Sequence, residues 1–403
     1  MQNPRFLNRT TPPHIVTLIL LAGLSALTMN IMLPSLPGMA VWFGVPYATM
    51  QLSVALYLLL SALLQVVIGP ISDRYGRRAV LLVSLVLFLI ATVGTLIAPT
   101  AEVFLICRMG QAVIAAGMVL SRAVVRDMVP DAQAASMIGY VTMGMSIVPM
   151  VGPVIGGVLD EAFGWQANFG LLAVLGVVVL GLVWADLGET ATLRRVSLAE
   201  QMRSYPLLLR SQRFWGYVGC ASFSSGAFFA YLGGAPYVGN TVFGLSSTQV
   251  GFLFAITAVG YAAGNFVAGR YSVRIGMNRM VLIGSTFTAG GMAALLFVTL
   301  AGVHSPLVFF GFTVFVGIGN GMTLPNANAG MLSIRPELAG TASGLGGAIQ
   351  IGGGAGLAAL AGALLGPGAD EVPLVLLMLA SGAMSVVSIL WVMRRARVLG
   401  LAG

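Results

Sequence analysis

The sequence has no lysine and very little charge of either sign. Its 403 residues include 20 basic side chains, all of them arginine, and 12 acidic ones, so that 8% of the chain is charged. A soluble globular domain carries about 25% charged residues. So few charges could not cover the surface of a soluble protein of this length, which argues against a soluble enzyme. The net charge of +8 would suggest nucleic acid as a soluble protein's partner, but in a membrane protein it reports orientation, and we expect no nucleic acid partner.

The chain is also poor in residues that bind metals or form disulfides. Cys107 and Cys220 both fall in apolar stretches, and His14 and His304 have no partner at ligand spacing. A structural metal site needs several such ligands at fixed spacing. We therefore expect no disulfide, no metal site and no cofactor.

Long apolar runs dominate the sequence instead, because 58% of its residues are hydrophobic. A helix needs about 20 apolar residues to cross a bilayer, and helices satisfy their own backbone hydrogen bonds in lipid. None of the runs alternates as a membrane barrel strand would. The pattern predicts an all-α membrane protein with twelve transmembrane helices, at residues 16–33, 49–69, 79–98, 103–125, 136–159, 168–184, 214–237, 248–268, 280–302, 307–328, 339–365 and 372–393.

The arginines fall in alternate connections between these spans. Nineteen of the twenty lie near the chain ends or in every second connection, and the remaining connections hold acids such as Asp160 and Glu161 instead. Basic loops stay on the cytoplasmic side of a membrane. We therefore expect a multi-pass protein with both termini in the cytoplasm. Arg108, inside the fourth span, is the exception.

A polar stretch divides the chain into two similar halves. This cytoplasmic linker, 188–213, separates an N-terminal six-helix bundle, 1–187, from a C-terminal one, 214–403. Four residues after the second span of each half match at an offset of 200, which indicates a duplicated unit. They are Gly69, Ser72, Arg74 and Gly76, which recur as Gly269, Ser272, Arg274 and Gly276.

Three motifs occur at matching places in this topology. Residues 69–78, GPISDRYGRR, resemble the cytoplasmic signature of the major facilitator superfamily. The fourth span resembles the arginine motif of that superfamily's drug/proton antiporters, at Arg108, Gln111 and the small residues from Ala115. The fifth resembles their glycine–proline motif, at Gly144, Gly152, Pro153, Gly156 and Gly157.

Further segments are similar to the Bcr/CflA drug-resistance group of this superfamily. Residues 30–37, NIMLPSLP, are close to that group's DMYLPxLP, and 122–127, RAVVRD, to its ARAxVRD. The resemblance covers essentially the whole chain. It implies two pseudo-symmetric six-helix bundles in the inner membrane of a bacterium, and a transporter that exports small, often amphipathic compounds against proton entry by alternating access. We expect a monomer.

The resemblance also implies residues that act in gating or coupling. It places Asp73 in a contact that closes the cytoplasmic gate, either with nearby arginines or with the start of the eleventh span. Positive-inside topology alone would explain Arg77 and Arg78, but not an acid between them and the membrane. The glycines of the fifth span let helices approach closely, which serves packing alone or also seals the cavity. The expected set is Asp73, Arg77, Arg122, Arg126, Asp127, Gly152, Pro153, Gly156 and Gly157.

Polar residues within spans are the candidates for a substrate cavity, because at depth they tend to face protein or water. Arg108 lies near the outer edge of its span, so its side chain either snorkels to the surface or lines the cavity. By analogy with the fold, spans one, four, seven and ten line the cavity. The expected cavity residues are Asn30, Tyr57, Gln65, Arg108, Gln111, Phe229, Tyr231, Tyr261, Asn265, Asn320, Asn326 and Gln350.

One departure from the group concerns proton coupling. Position 30 is Asn where the group has Asp, and no acid lies in the middle of any span. A carboxylate can titrate within a membrane, but an amide cannot. Three interpretations stay open: a peripheral acid such as Asp73 or Asp127 carries the proton, the substrate carries it, or coupling is lost.

The leading hypothesis is a secondary active exporter of small organic molecules. The alternative is a metabolite exporter or importer of the same fold with weak or no proton coupling, because substrate choice depends on cavity shape. A membrane enzyme is disfavoured because no catalytic pair or metal cluster is apparent in the sequence. A fixed channel is disfavoured because duplicated halves favour alternating access.

Overall fold

The computed structural model describes residues 6–9, 13–128, 151–190, 206–335 and 338–400, together with Met137, Val141 and Val148. Every regular element in these ranges is helical. The helices of the N-terminal half are α1 (Ile15–Asn30), α2 (Leu36–Phe43), α3 (Tyr47–Tyr75), α4 (Arg77–Leu96), α5 (Ala101–Gly110), α6 (Ala115–Met128), α7 (described over 151–163) and α8 (Gln166–Asp186). Those of the C-terminal half are α9 (Gln212–Tyr237), α10 (Ser247–Ile275), α11 (Met277–Leu300), α12 (Pro306–Leu332), α13 (Ala339–Leu364) and α14 (Val372–Val398).

Ten helical stretches within the described residues are long and apolar enough to cross a membrane. They coincide with all the predicted spans except the fifth, half of which lies outside the described residues, and the seventh. The seventh is the 26-residue helix α9, which is long enough but less apolar. Nearly every side chain from Ser224 to Tyr237 is buried. α9 therefore packs against protein rather than lipid, and its serines and glycines need no lipid-compatible surface.

The repeat in the sequence reappears in the backbone. α3 and α10 are both 29 residues long and end 200 positions apart. The next residues, Gly76 and Gly276, have φ angles of 93° and 92°. Their N–H groups donate to the carbonyl oxygens of Ser72 and Ser272. A positive φ of this kind favours glycine, so the matching glycines end the second membrane helix of each half in the same way.

One apolar core joins the two halves, with members such as Leu21 and Phe88 from the first and Tyr231 and Phe310 from the second. Large apolar side chains also cover the outside, where Phe266 is 71% exposed. Lipid, unlike water, accommodates such a surface. The all-α fold is thus confirmed for the described residues, and the chain is a multi-pass membrane protein.

Candidate functional site

A cavity of about 300 Å³ lies between the two halves. Seven helices line it: α1, α3 and α6 of the N-terminal half, and α9, α10, α12 and α13 of the C-terminal half. Lining positions on one helix are a turn apart, as Tyr57, Ser61 and Gln65 on α3 are. The helices thus turn one face each toward a shared space whose wall is mostly apolar and aromatic. Spans one, four, seven and ten contribute as expected, and spans two, eight and eleven join them.

The structure brings seven of the twelve expected cavity residues to this wall and leaves five away from it. The seven are Asn30, Tyr57, Gln65, Phe229, Tyr261, Asn320 and Gln350, and Arg122 from the expected gating set joins them. The five outside the lining are Arg108, Gln111, Tyr231, Asn265 and Asn326.

Two of these five are amides that bond to their own helix. The Nδ2 of Asn265 donates to Tyr261 O at 2.9 Å, and that of Asn326 donates to Met322 O at 2.8 Å. A helix can satisfy an amide in this way without a cavity. Polarity at depth therefore does not by itself reveal which side chains face the cavity.

Sequence reasoning missed other members of the wall, among them Ser25, Met29, Ser61 and Phe228. Helical spacing could have found them. Met29 and Ser25 lie next to Asn30 and a turn before it, and Ser61 lies midway between two expected residues. These positions carry small or apolar side chains, which a search for polar residues overlooks.

Arg108 is completely buried and bound within the N-terminal half. Its Nη1 donates to Gln111 Oε1 at 2.8 Å, and its Nη2 donates to Thr28 O at 2.9 Å. Gln111 Nε2 in turn donates to Thr92 Oγ1 at 2.8 Å. The guanidinium carbon also lies 4.1 Å from the centre of the Tyr57 ring. The side chain therefore does not snorkel to the outer surface, and it connects α1, α3 and α4 through its partners.

This positive charge acts on the cavity through an aromatic ring. Tyr57 contacts Arg108 and also lines the cavity, while Arg122 lines it directly. No carboxylate of a described residue lies within ion-pair distance of Arg108. None of the described residues in the cavity wall is acidic, and Arg122 is the one charged side chain among them.

Two buried amides, one in each half, keep a polar atom without a partner. Asn30 Nδ2 donates to Ala26 O at 2.8 Å, and its Oδ1 has no hydrogen bond. Asn320 Oδ1 accepts from Ser224 Oγ at 2.8 Å, and its Nδ2 has none. A buried unpaired polar atom is unfavourable by about 1–3 kcal/mol. Both residues belong to the cavity wall, but in this conformation neither unpaired atom is exposed to the cavity.

The halves meet at the end of the molecule opposite the arginine-rich connections. The Tyr47 hydroxyl donates to Gly233 O at 2.5 Å, and its ring lies 5.0 Å from that of Tyr237. Ser247 Oγ donates to Pro34 O at 3.3 Å. Each contact joins one half to the other, so the cavity is closed at this end.

Asp160, near the end of α7, takes part in this closure. Its carboxylate interacts with the side chains of Ser35 in the N-terminal half and Ser247 in the C-terminal half. Burial raises the pKa of Asp160, an effect that these two interactions oppose and that the neighbouring Glu161 reinforces. Asp160 is therefore a titratable group within a contact between the halves.

Glu161 binds the start of α10 from the opposite half. It accepts hydrogen bonds from Thr248 and Ser246, and these lower its pKa. The first turn of a helix has unpaired N–H groups and a partial positive charge, which favour a carboxylate there. In the closed state the pKa of Asp160 is therefore raised, whereas the pKa of the adjacent Glu161 is lowered.

The glycine–proline motif lies where α7 touches its neighbours. A Cβ at Gly156 would overlap the carbonyl oxygen of the residue that follows α1, and one at Gly157 would overlap that of Ser247. Gly152 and Pro153 of the motif are buried on the same helix, and Gly144 lies outside the described residues. The backbones can approach this closely because the motif has no side chains at the contact.

At the arginine-rich end, Asp73 pairs with Arg77 at 2.6 Å, and Arg77 Nε also contacts Asp127 at 3.2 Å. Arg77 therefore links the end of α3 to the end of α6. Of the two partners considered for Asp73, the nearby arginine Arg77 is in contact with it. The side chains at the start of α13, residues 339–341, and that of Arg126 lie outside the described residues.

Comparison with known proteins gives a consistent family. The sequence model of the Major Facilitator Superfamily matches residues 18–359. The chloramphenicol resistance protein of Pseudomonas aeruginosa is 30% identical over 320 residues, which are 79% of this chain and 76% of that protein. Multidrug resistance protein D of Escherichia coli strain K12 is 28% identical over 345 residues, 83% of this chain and 85% of that protein. A solved bacterial homologue of the human lysosomal transporter Spinster, in an inward-facing and occupied conformation, has a TM-score of 0.70 at 17% identity and covers 95% of this chain and 96% of its own.

Proposed function

The chain belongs to the Major Facilitator Superfamily and is a membrane transporter of small molecules; we propose that it exports neutral, amphipathic organic compounds from the cytoplasm by alternating access. The observation that carries this proposal is the cavity between the halves, which is closed at one end and has apolar walls and unpaired amides. Relatives named for resistance to chloramphenicol and to multiple drugs support export as the direction.

Orientation follows from the arginines. Because basic connections stay in the cytoplasm, the closed end with Tyr47 and Asp160 faces outward, and both termini are cytoplasmic. A substrate would then enter the cavity from the inner side of a bacterial inner membrane. Export requires the contacts of the closed end to break while the arginine-rich end closes.

Charge selects the class of substrate. Arg122 lines the cavity, Arg108 lies behind Tyr57, and no acid lines the described wall to balance a cation. A cationic compound would lose its hydration in the cavity without gaining an ion pair, which is unfavourable. The aromatic wall, with Tyr57, Phe228 and Phe229, accommodates the apolar body of a neutral compound.

The amides add a directional requirement. Both unpaired atoms are covered in this conformation. Once a movement of the helices uncovers them, Asn30 Oδ1 would accept a hydrogen bond from a hydroxyl or amide of the substrate, and Asn320 Nδ2 would donate one to a carbonyl, hydroxyl or nitro oxygen. These atoms belong to different halves. A bound compound that contacts both would therefore bridge the halves in one state of the cycle and release one contact in the other.

Proton entry is proposed as the driving force, with Asp73 and Asp127 as the candidate proton-binding groups. Both contact Arg77 at the cytoplasmic ends of α3 and α6. Protonating either acid would remove half of that link and so free the helix ends to move. Asp160 lies at the proposed outer end and is not part of the Arg77 link.

The test is transport in a bacterium that lacks its own efflux pumps. Cells that express the chain should tolerate chloramphenicol better than cells that express the Asn30→Leu, Asn320→Leu double variant. Everted membrane vesicles should accumulate the compound when a pH gradient is imposed, and dissipating the gradient should abolish accumulation. If the wild type gives no protection, and if uptake of a metabolite does not depend on the pH gradient, the result would favour a metabolite transporter instead.

A further inference from the structure

A second cavity, of about 540 Å³, lies at the arginine-rich end of the C-terminal half. It forms where the end of α10, the start of α11 and the end of α14 meet, and its wall includes Arg274, Arg279 and Arg397. No acidic residue lines it, and none of the three arginines pairs with a carboxylate of a described residue. Positive-inside topology accounts for arginines near this surface, but not for three of them around one cavity.

In the N-terminal half, the corresponding place holds a carboxylate. Glu189, which follows α8, accepts hydrogen bonds from the backbone N–H groups of Arg77 at 2.8 Å and Arg78 at 3.3 Å. These N–H groups belong to the first turn of α4, just after Gly76. The repeat therefore provides an internal example of an anion bound at this helix start.

The C-terminal half has the same helix start but no such carboxylate. α11 begins after Gly276, and its first-turn residues Asn278 and Arg279 line the cavity. The counterpart of α8 in this half is α14, the sixth membrane helix of the half. α14 continues to Val398 and so brings Arg397 to this place instead of an acid. The charge contributed by the sixth membrane helix and its extension is thus reversed between the halves, from Glu189 to Arg397.

We propose that this cavity binds the phosphate group of an anionic phospholipid. Arginine guanidinium groups bind phosphate oxygens in pairs, and the unpaired N–H groups of a helix start favour the same anion. Free phosphate shares this chemistry, but the surroundings favour a lipid. Val273 in the cavity wall is 95% exposed and Val398 beside it is 68% exposed, so acyl chains can lie against the protein next to the headgroup.

Binding at this place would connect the bilayer to the transport site. One end of α10 lies at this second cavity, and its middle contributes Tyr261 to the cavity between the halves. Its other end holds Ser247, which contacts Pro34 where the halves meet. A headgroup that holds the end of α10 to α11 and α14 would therefore stiffen the helix that contributes to both sites.

The proposal is tested with the full chain, purified in detergent and delipidated. Native mass spectrometry and thermal unfolding are measured with dioleoylphosphatidylglycerol, with dioleoylphosphatidylcholine and with inorganic phosphate. Phosphatidylglycerol should bind and raise the unfolding temperature, whereas phosphatidylcholine and phosphate should not. Arg279→Gln and Arg397→Gln should each weaken phosphatidylglycerol binding about fivefold, since one arginine near a membrane surface contributes about that factor.

Arg395→Gln is the matched control, because it removes the same charge from the same helix end without altering the cavity wall. An equal loss of binding in this control would show that only the overall charge matters and would overturn the site. Equal binding of phosphatidylcholine would do the same. Protection by inorganic phosphate equal to that by the lipid would overturn the lipid as the occupant. If one of the arginine variants fails to fold, the other still decides.

Discussion

The guanidinium carbon of Arg108 lies 4.1 Å from the centre of the Tyr57 ring, and Tyr57 forms part of the cavity wall. The arginine that interrupts the fourth span is therefore placed directly behind an aromatic side chain that can contact the substrate. Arg108 thus lies behind the cavity wall without lining the cavity itself. Its hydrogen bonds to Gln111 and Thr28 hold the charge in place.

Replacing Arg108 with lysine tests this arrangement. Lysine retains the charge but cannot donate to Gln111 and Thr28 with a planar fork, and it stacks less well on Tyr57. We expect export of chloramphenicol to fall by about tenfold or more, since a hydrogen bond to a charged group contributes about 1.5–3 kcal/mol. Initial export rates, normalised to the amount of protein in the membrane, provide the measurement. Wild-type rates in Arg108→Lys would mean that charge alone suffices.

Asn30→Asp should widen the charge range of the substrate. A carboxylate of the same size at position 30 would add a negative charge to the cavity wall. The affinity for a lipophilic cation such as tetraphenylphosphonium should therefore rise, and the affinity for chloramphenicol should fall. Equilibrium dialysis with the two labelled compounds measures this without any gradient. Asn240→Asp is the control, because that amide bonds to Leu245 O outside the cavity. Strong binding of the cation to the wild type would contradict the charge argument while leaving export itself intact.

Gly156→Ala should impair closure more than expression. A methyl group there meets a backbone carbonyl of the neighbouring segment, which cannot move aside as a flexible side chain could. Export should fall severalfold or more, while the amount of protein in the membrane stays similar. Gly170→Ala, in α8, has open space around the new methyl group and should leave export near the wild-type level. Equal behaviour of the two variants would remove the close contact from the mechanism.

Outer closure should depend on pH through Asp160. Burial in the closed state raises the pKa of Asp160 above its value when open, so the protonated form favours closure. This contribution is complete at low pH and is lost as the pH rises through the raised pKa. Spin labels at the exposed positions 41 and 241 should therefore report a larger open population as the pH rises, and Asp160→Asn should abolish that trend.

Glu161 is the comparison for that experiment, because its pKa is lowered in the closed state. Its contribution to closure is present at higher pH and is lost as the pH falls through the lowered pKa. Glu161→Gln removes this opposing contribution, but it also removes a charge that helps to raise the pKa of Asp160. The Asp160 trend should therefore persist, because burial is its main cause, over a narrower pH range than in the wild type. If the distribution of distances between the two spin labels does not change with pH in the wild type, neither acid has a role in closure.

The fold could be read from the sequence because each of its determinants is local. Apolar runs set the helices, and the glycines at 76 and 276 mark equivalent helix ends. The exception is α9, whose hydropathy falls because protein surrounds it from Ser224 onward. Orientation, deduced from the arginines, stays a prediction.

Only part of the site could be predicted from the sequence, because the direction in which a side chain faces depends on contacts between segments that are far apart in the chain. Tyr57 and Asn320 lie at the cavity wall, whereas the equally polar Asn265 and Asn326 bond to their own helices. The partners of Asp160 come from both halves, and no local pattern connects them. Acids in outer connections were apparent in the sequence, but their position between the halves was not.

The central claim is that the closed outer end opens in every export cycle. Ser35 and Ser247 belong to different halves, and the side chains of both interact with the Asp160 carboxylate. Cysteines at these two positions, with Cys107 and Cys220 replaced by alanine, can therefore be joined by a short, reducible, thiol-specific cross-linker.

Export of chloramphenicol is then measured before cross-linking, after it, and after reduction, with each single-cysteine variant treated in the same way. The cross-link should stop export, reduction should restore it, and the single variants should be unaffected. Undiminished export by the cross-linked protein would contradict alternating access through this end of the molecule.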